Sequence, residues 1–133
     1  MILSLLLSVI LVLLGVLHFL WGLGVWFPVK NETALVRSFI GASGVTRMPG
    51  AIPCFLIAGA LALMALAVWL PGTLPKVMLW AGGFVFLFRG LLTYTKGWRK
   101  LTPQEPFATN DRRYFGPLCL CIAGAIIFVN VGS

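Results

Sequence analysis

The sequence predicts an all-α membrane protein, a bundle of four spanning helices, and three observations carry that expectation. Of the 133 residues, 60% are hydrophobic and mean hydropathy is +1.03. Only 10% are charged, against about 25% in soluble domains, so charge cannot cover a globule of this size. The apolar residues also collect into four runs long enough, or nearly so, to cross a hydrocarbon core of about 30 Å. Disorder is excluded because disordered chains are poor in apolar residues. Three cysteines, all within apolar stretches, do not make a disulfide scaffold. The chain reads as a single membrane domain over 1–133, with spans expected at about 2–27, 51–70, 77–95 and 115–131.

The first run, Ile2 to Phe27, has no formal charge, and His18 is its one ionisable side chain. As a continuous helix it would be about 39 Å long and would have to tilt or project from the core. It lacks the basic start and small-residue cleavage site of a secretion signal and reads as a retained span. The second run, Ala51 to Leu70, is followed by Pro71-Gly72-Thr73-Leu74-Pro75-Lys76, a tight turn that makes the second and third spans antiparallel. The third, from about Val77 to Thr95, is interrupted by Arg89, and the fourth runs from about Phe115 to Val131.

Lys30, Arg37 and Arg47 lie in the connection 28–50, and Lys96, Arg99, Lys100, Arg112 and Arg113 in the connection 96–114. The opposite side has Lys76 alone, and eight cations against one put both long connections in the cytoplasm and both termini outside. The net charge of +7 is therefore an orientation signal, and basic residues split between two short loops argue against nucleic-acid binding. Asn31-Glu32-Thr33 fits a glycosylation sequon but falls in a connection assigned to the cytoplasm.

The halves, 1–70 and 71–133, resemble each other. Arg47 to Ala60 aligns with Arg112 to Ala125 at a constant offset of 65, matching Arg47 with Arg112, Cys54 with Cys119, and Ile57-Ala58-Gly59-Ala60 with Ile122-Ala123-Gly124-Ala125. A weaker echo at offset 68 pairs Trp21 with Arg89. Two spans per repeat give a symmetry axis along the membrane normal, and the small residues around Gly59 and Gly124 suit close helix packing.

Arg89 is the principal functional candidate, because an arginine near a span centre costs about 2.5–3.5 kcal/mol on insertion scales. It either binds a ligand or fixes helix register by snorkelling or internal pairing. His18 and Trp21 share a helix face; His18 equally suits a helix–helix hydrogen bond. If Trp21 and Arg89 are equivalent positions facing one central space, the cation can sit over the indole. Asp111 is a candidate counter-charge for Arg89 and fits a plain N-cap equally well. Arg47, Arg112 and Tyr114 complete the set at the cytoplasmic mouth, where the arginines also suit anchorage to anionic headgroups. The Cys119-Leu120-Cys121 spacing splays its thiols by about 200° on a helix, so no metal site is expected, and no cofactor motif is present.

The chain resembles a family of small four-span bacterial membrane proteins catalogued as a domain of unknown function. The resemblance rests on His18-Phe19-Leu20-Trp21, on Phe86-Leu87-Phe88-Arg89-Gly90, and above all on Phe107-Ala108-Thr109-Asn110-Asp111-Arg112-Arg113-Tyr114 leading into Pro117-Leu118-Cys119-Leu120. It implies a bacterial inner-membrane protein and transfers no activity. Its recurrent polar positions fall on His18, Trp21, Arg89, Asp111, Arg112 and Tyr114.

The leading expectation is a membrane protein that binds or transports an anionic small molecule or lipid headgroup in a cytoplasm-facing basic cavity. Arg89, Arg47 and Arg112 would hold the anion, and His18 and Trp21 would line the wall. A homodimer suits transport by so small a chain. The alternatives are an auxiliary subunit of a larger membrane complex and a small intramembrane enzyme using His18 or Asp111.

Overall fold

In the computed structural model, which describes residues 1–132, the chain is helical with short connections and, among the described residues, no strand. The elements are α1 (Ile2–Gly22), α2 (Glu32–Phe39), α3 (Ala51–Ala67), α4 (Thr73–Leu92), α5 (Lys96–Leu101), α6 (Phe107–Asn110), a π-helical turn (Asp111–Phe115) and α7 (Gly116–Val131). By length and composition three helices among the described residues can cross a membrane: α1, α4 and the continuous helix Phe107–Val131. The chain is a membrane protein on that ground. At 17 residues α3 is shorter, about 26 Å at the helical rise.

The span boundaries differ from expectation for local reasons. α1 stops at Gly22 rather than Phe27 because Gly24 takes φ +85°. Val25 N–H then reaches the Leu20 carbonyl at 2.9 Å and Gly24 N–H the Trp21 carbonyl at 3.1 Å, the paired bonds of a Schellman cap. α4 starts at Thr73, four residues earlier than expected, because the chain has already turned at Gly72 (φ +109°). The last helix begins at Phe107, eight residues earlier than expected. Thr109 donates through both its N–H and its hydroxyl to the Glu105 carboxylate at that helix start.

Packing joins α1 to α3 and α4 to α7, with Leu11, Leu61, Leu79, Ile122 and Ile126 buried where the four meet. Outward faces carry large apolar side chains such as Phe84, Phe88 and Phe128, as lipid-facing surfaces do. Because lipid is as apolar as leucine, association must come from close contact and polar bonds rather than from hydrophobic burial. The close approach is not at Gly59 and Gly124, as expected, since a Cβ on either would meet nothing within 4 Å. It lies at Gly90 and Gly116. A Cβ on Gly90 would stand 3.1 Å from the Gly116 carbonyl oxygen and 2.7 Å from Leu120. One on Gly116 would stand 2.8 Å from Thr93 at the end of α4.

The two long connections fold together as a cap over one end. Ser43 N–H bonds to the Leu101 carbonyl (3.3 Å) and Gln104 N–H to the Gly41 carbonyl (3.1 Å). Asn31, the residue of the sequon, caps α2 by accepting from Ala34 N–H at 2.8 Å. Gly41 has φ +67°, and a Cβ there would run into the Phe107 ring, so no other residue fits.

Gly116→Ala is expected to destabilise by about 1–3 kcal/mol through overpacking, read as a lower thermal midpoint in detergent. Gly59→Ala and Gly124→Ala should leave the midpoint unchanged or raise it slightly, since open helical positions favour alanine.

Candidate functional site: an ion-paired polar cap and its cavity

The carboxylate of Asp111 is completely buried, at 0% exposure. It occupies the first position of the π-turn, where Gly116 N–H bonds to the Asp111 carbonyl in the five-residue spacing. It is therefore not an N-cap. The turn falls where α7 crosses α4 at Gly116 and Gly90, and this close crossing brings Arg89 within reach. Arg89 donates from Nη2 to Asp111 Oδ1 at 2.7 Å and from Nη1 to Thr93 Oγ1 at 2.8 Å.

The second carboxylate oxygen is filled from α5. Trp98 Nε1 and Arg99 Nη2 both donate to Asp111 Oδ2 at 2.9 Å. Arg99 also donates to the Thr93 carbonyl (3.2 Å) and the Thr102 carbonyl (3.3 Å). α5 is placed for this by Thr95, whose hydroxyl oxygen accepts from Trp98 N–H at 3.2 Å. The Arg89 guanidinium lies 4.8 Å from the centre of the Trp98 ring, so the same indole bonds the anion and covers the cation. One carboxylate against two guanidinium groups leaves the cluster with one net positive charge.

Beside the cluster is a cavity of about 530 Å³. Its polar wall carries Arg89, Trp98, Lys100, Ser43 and Thr102, and Phe39, Ile40, Leu101 and Phe107 form most of the rest. Among the described residues no carboxylate lines it. The chain has three acids, and each is engaged within the cap. Asp111 is in the cluster, Glu105 binds Thr109, and Glu32 accepts from Met48 N–H at 3.0 Å.

The expected candidates divide into three groups. Arg89 and Asp111 are brought together, and Arg89 reaches the cavity. His18 and Trp21 pack on each other, with ring centres 4.9 Å apart, and Trp21 meets the cavity-wall residue Phe39 at 5.1 Å. His18 Nδ1 is 2.7 Å from the Leu14 carbonyl; a carbonyl only accepts, so Nδ1 carries a proton. Trp21 donates to the Phe27 carbonyl at 2.7 Å, pinning the chain after α1. The expected pairing of Arg89 with Trp21 is replaced by pairing with Trp98, because Trp21 is committed to that loop. Arg47, Arg112 and Tyr114 are exposed and do not line the cavity; Tyr114 instead lies 5.7 Å from the Arg113 guanidinium.

Trp98, Arg99 and Lys100 are the site residues that sequence reasoning missed. Lys100 and Arg99 had registered only as orientation charges. The one local signal is Thr95 three residues before Trp98, an N-cap pattern that announces a short helix in place of a loop.

These features define a small helical membrane protein with an ion-paired polar cap and a basic cavity at one end. The chain belongs to the family described as proteins of unknown function (DUF3995), whose model matches residues 11–126. No curated protein and no solved structure matches it.

Asp111→Asn removes the shared anion and leaves two guanidinium groups facing each other, for an expected loss of about 3–5 kcal/mol. Trp98→Phe keeps a ring over Arg89 but removes one donor to a charged acceptor, worth about 1.5–3 kcal/mol. Both are read from thermal or denaturant unfolding in detergent, beside the exposed control Arg112→Ala, expected within about 0.5 kcal/mol of wild type.

Proposed function

We propose that this protein is a four-span bacterial inner-membrane protein whose cap faces the cytoplasm and holds an anionic ligand in the cavity beside Arg89. One observation carries the reading: among the described residues the cavity wall has two cations, Arg89 and Lys100, and no carboxylate. Arg89 is fixed by Asp111, Thr93 and Trp98, and two of its five N–H groups are taken by the first two. The rest of its donor edge is available to a ligand. Lys100 stands exposed at the wall as a second charge. His18 and Trp21 support the wall from behind through Phe39, while Arg47 and Arg112 act as anchors to anionic headgroups.

Orientation rests on charge. Eight cations of the long connections gather at the capped end, against Lys76 at the other, which favours a cytoplasmic cap.

Gene duplication is part of the same reading, and the helix contacts support it. Gly15 faces Leu61 and Gly83 faces Ile126; Gly22 faces Phe55 and Gly90 faces Leu120. In both pairs the glycines are related by the offset of 68 and their partners by 65. Arg89 replaces Trp21 at the matching position, and Asp111 corresponds to Thr46, so the ion cluster belongs to the second half alone.

Two measurements test this. In the purified protein, organic anions are expected to raise the thermal midpoint with concentration, as ligands of the folded state do, and Lys100→Gln should reduce the shift without altering the unliganded midpoint. An absence of any shift across phosphates and carboxylates would remove the binding reading. Separately, in a cysteine-free background a cysteine at Lys30 should resist a membrane-impermeant maleimide in intact spheroplasts and react in inverted vesicles. The reverse pattern would overturn the orientation.

A further inference from the structure

Resting on the anion-binding reading, we infer that the cavity's ligand is an amphiphilic anion, a phosphate-type head group joined to an apolar body, rather than a bare inorganic ion. The cavity is two-faced. On one side Arg89 and Lys100 supply charge and Ser43 an exposed hydroxyl; on the other Phe39, Ile40 and Leu101 present carbon, with the buried Phe107 ring behind them. A volume of about 530 Å³ lies within the range of pockets for small organic molecules. An inorganic ion would occupy only the polar corner and leave the apolar wall with nothing to bury.

The wall's construction points the same way. Phe107 is 1% exposed and held by Phe115 at 5.9 Å and by the Arg99 guanidinium at 6.0 Å; Phe39 stacks on Phe115 at 5.3 Å. These rings are braced, so the apolar side does not close on itself. The cavity also sits at the depth where such a ligand would lie. Arg89 is three residues from the end of α4, less than one turn, so the polar corner is near the membrane boundary. Charge selects the head group and apolar burial retains the body, about 25 cal/mol for each Å² removed from water. The source is either a membrane lipid of the phosphatidate kind or a soluble organic phosphate.

The test uses the full chain in a non-ionic detergent, with binding measured by calorimetry. Four probes are used below their micelle-forming concentrations: dihexanoyl phosphatidic acid, phenyl phosphate, inorganic phosphate and dihexanoyl phosphatidylcholine. Phosphatidic acid is expected to bind at least about tenfold more tightly than inorganic phosphate, since that ratio needs only a modest buried area. Phosphatidylcholine should bind no more tightly than inorganic phosphate. Lys100→Gln should weaken phosphatidic acid about tenfold, and Ser43→Trp, which fills the cavity from an exposed position, should abolish its binding. Phenyl phosphate matching phosphatidic acid would support the amphiphile and assign it to the soluble source; weaker phenyl phosphate would assign it to lipid. Inorganic phosphate equal to phosphatidic acid would overturn this inference and leave the anion reading standing. Phosphatidylcholine equal to phosphatidic acid would overturn it through the head group, and no binding by any probe would overturn both readings.

Discussion

The polar end of this molecule depends on a single buried carboxylate. Asp111 joins three elements at once: Arg89 reaches it from α4, Trp98 and Arg99 from α5, and the carboxylate itself comes from the π-turn opening α7. A charge so placed is costly to bury alone and becomes tolerable only when its oxygens are filled and its charge is met. Hydrophobic packing often stabilises as well as a buried ion pair does, so the cluster's distinctive contribution is geometric. It fixes the short α5 against the bundle and holds Arg89 in the cavity wall.

That arrangement requires two other features. Gly90 and Gly116 bring α4 and α7 close enough for a side chain on one to bond a side chain on the other. The π-turn supplies an extra residue at the crossing, consistent with the tendency of such turns to sit at functional sites. The cap then rests on Phe107, Phe115 and Phe39, a run of rings that also connects the cavity wall to Trp21 and His18. Within the proposed duplication, Arg89 and Asp111 correspond to Trp21 and Thr46, an indole and a hydroxyl.

Much of this was legible in the sequence, and the limits have physical causes. Apolar runs announce membrane helices because the bilayer imposes length and hydropathy directly. An arginine inside such a run demands compensation, so Asp111 stood out as a candidate counter-charge for Arg89, although a plain N-cap fitted it as well. Helix ends were less legible: Gly24 ends α1 through a left-handed cap, and the hydropathy of the residues beyond it hides the break. Trp98 and Arg99 could not be read, because what brings them to Asp111 is the fold of a connection whose residues look like solvated charges. The cavity walls come from that same fold, so Lys100 lines it where Arg47 and Arg112 had been expected. Close packing was placed at Gly59 and Gly124 because small residues mark compatibility with contact, not which face makes it.

The most direct test of the central claim, that the cap is organised by the buried pair of Arg89 with Asp111, is a double-mutant cycle. Arg89→Gln, Asp111→Asn and the double variant would be compared by reversible unfolding in one detergent. Non-additivity isolates the interaction between the two side chains from the other effects of each substitution. The account predicts that the double variant loses less stability than the sum of the single losses, by about 1–3 kcal/mol for partners in direct contact. Additive losses would contradict it, and the two residues would then be independent contributors to a cap held together by its packing alone.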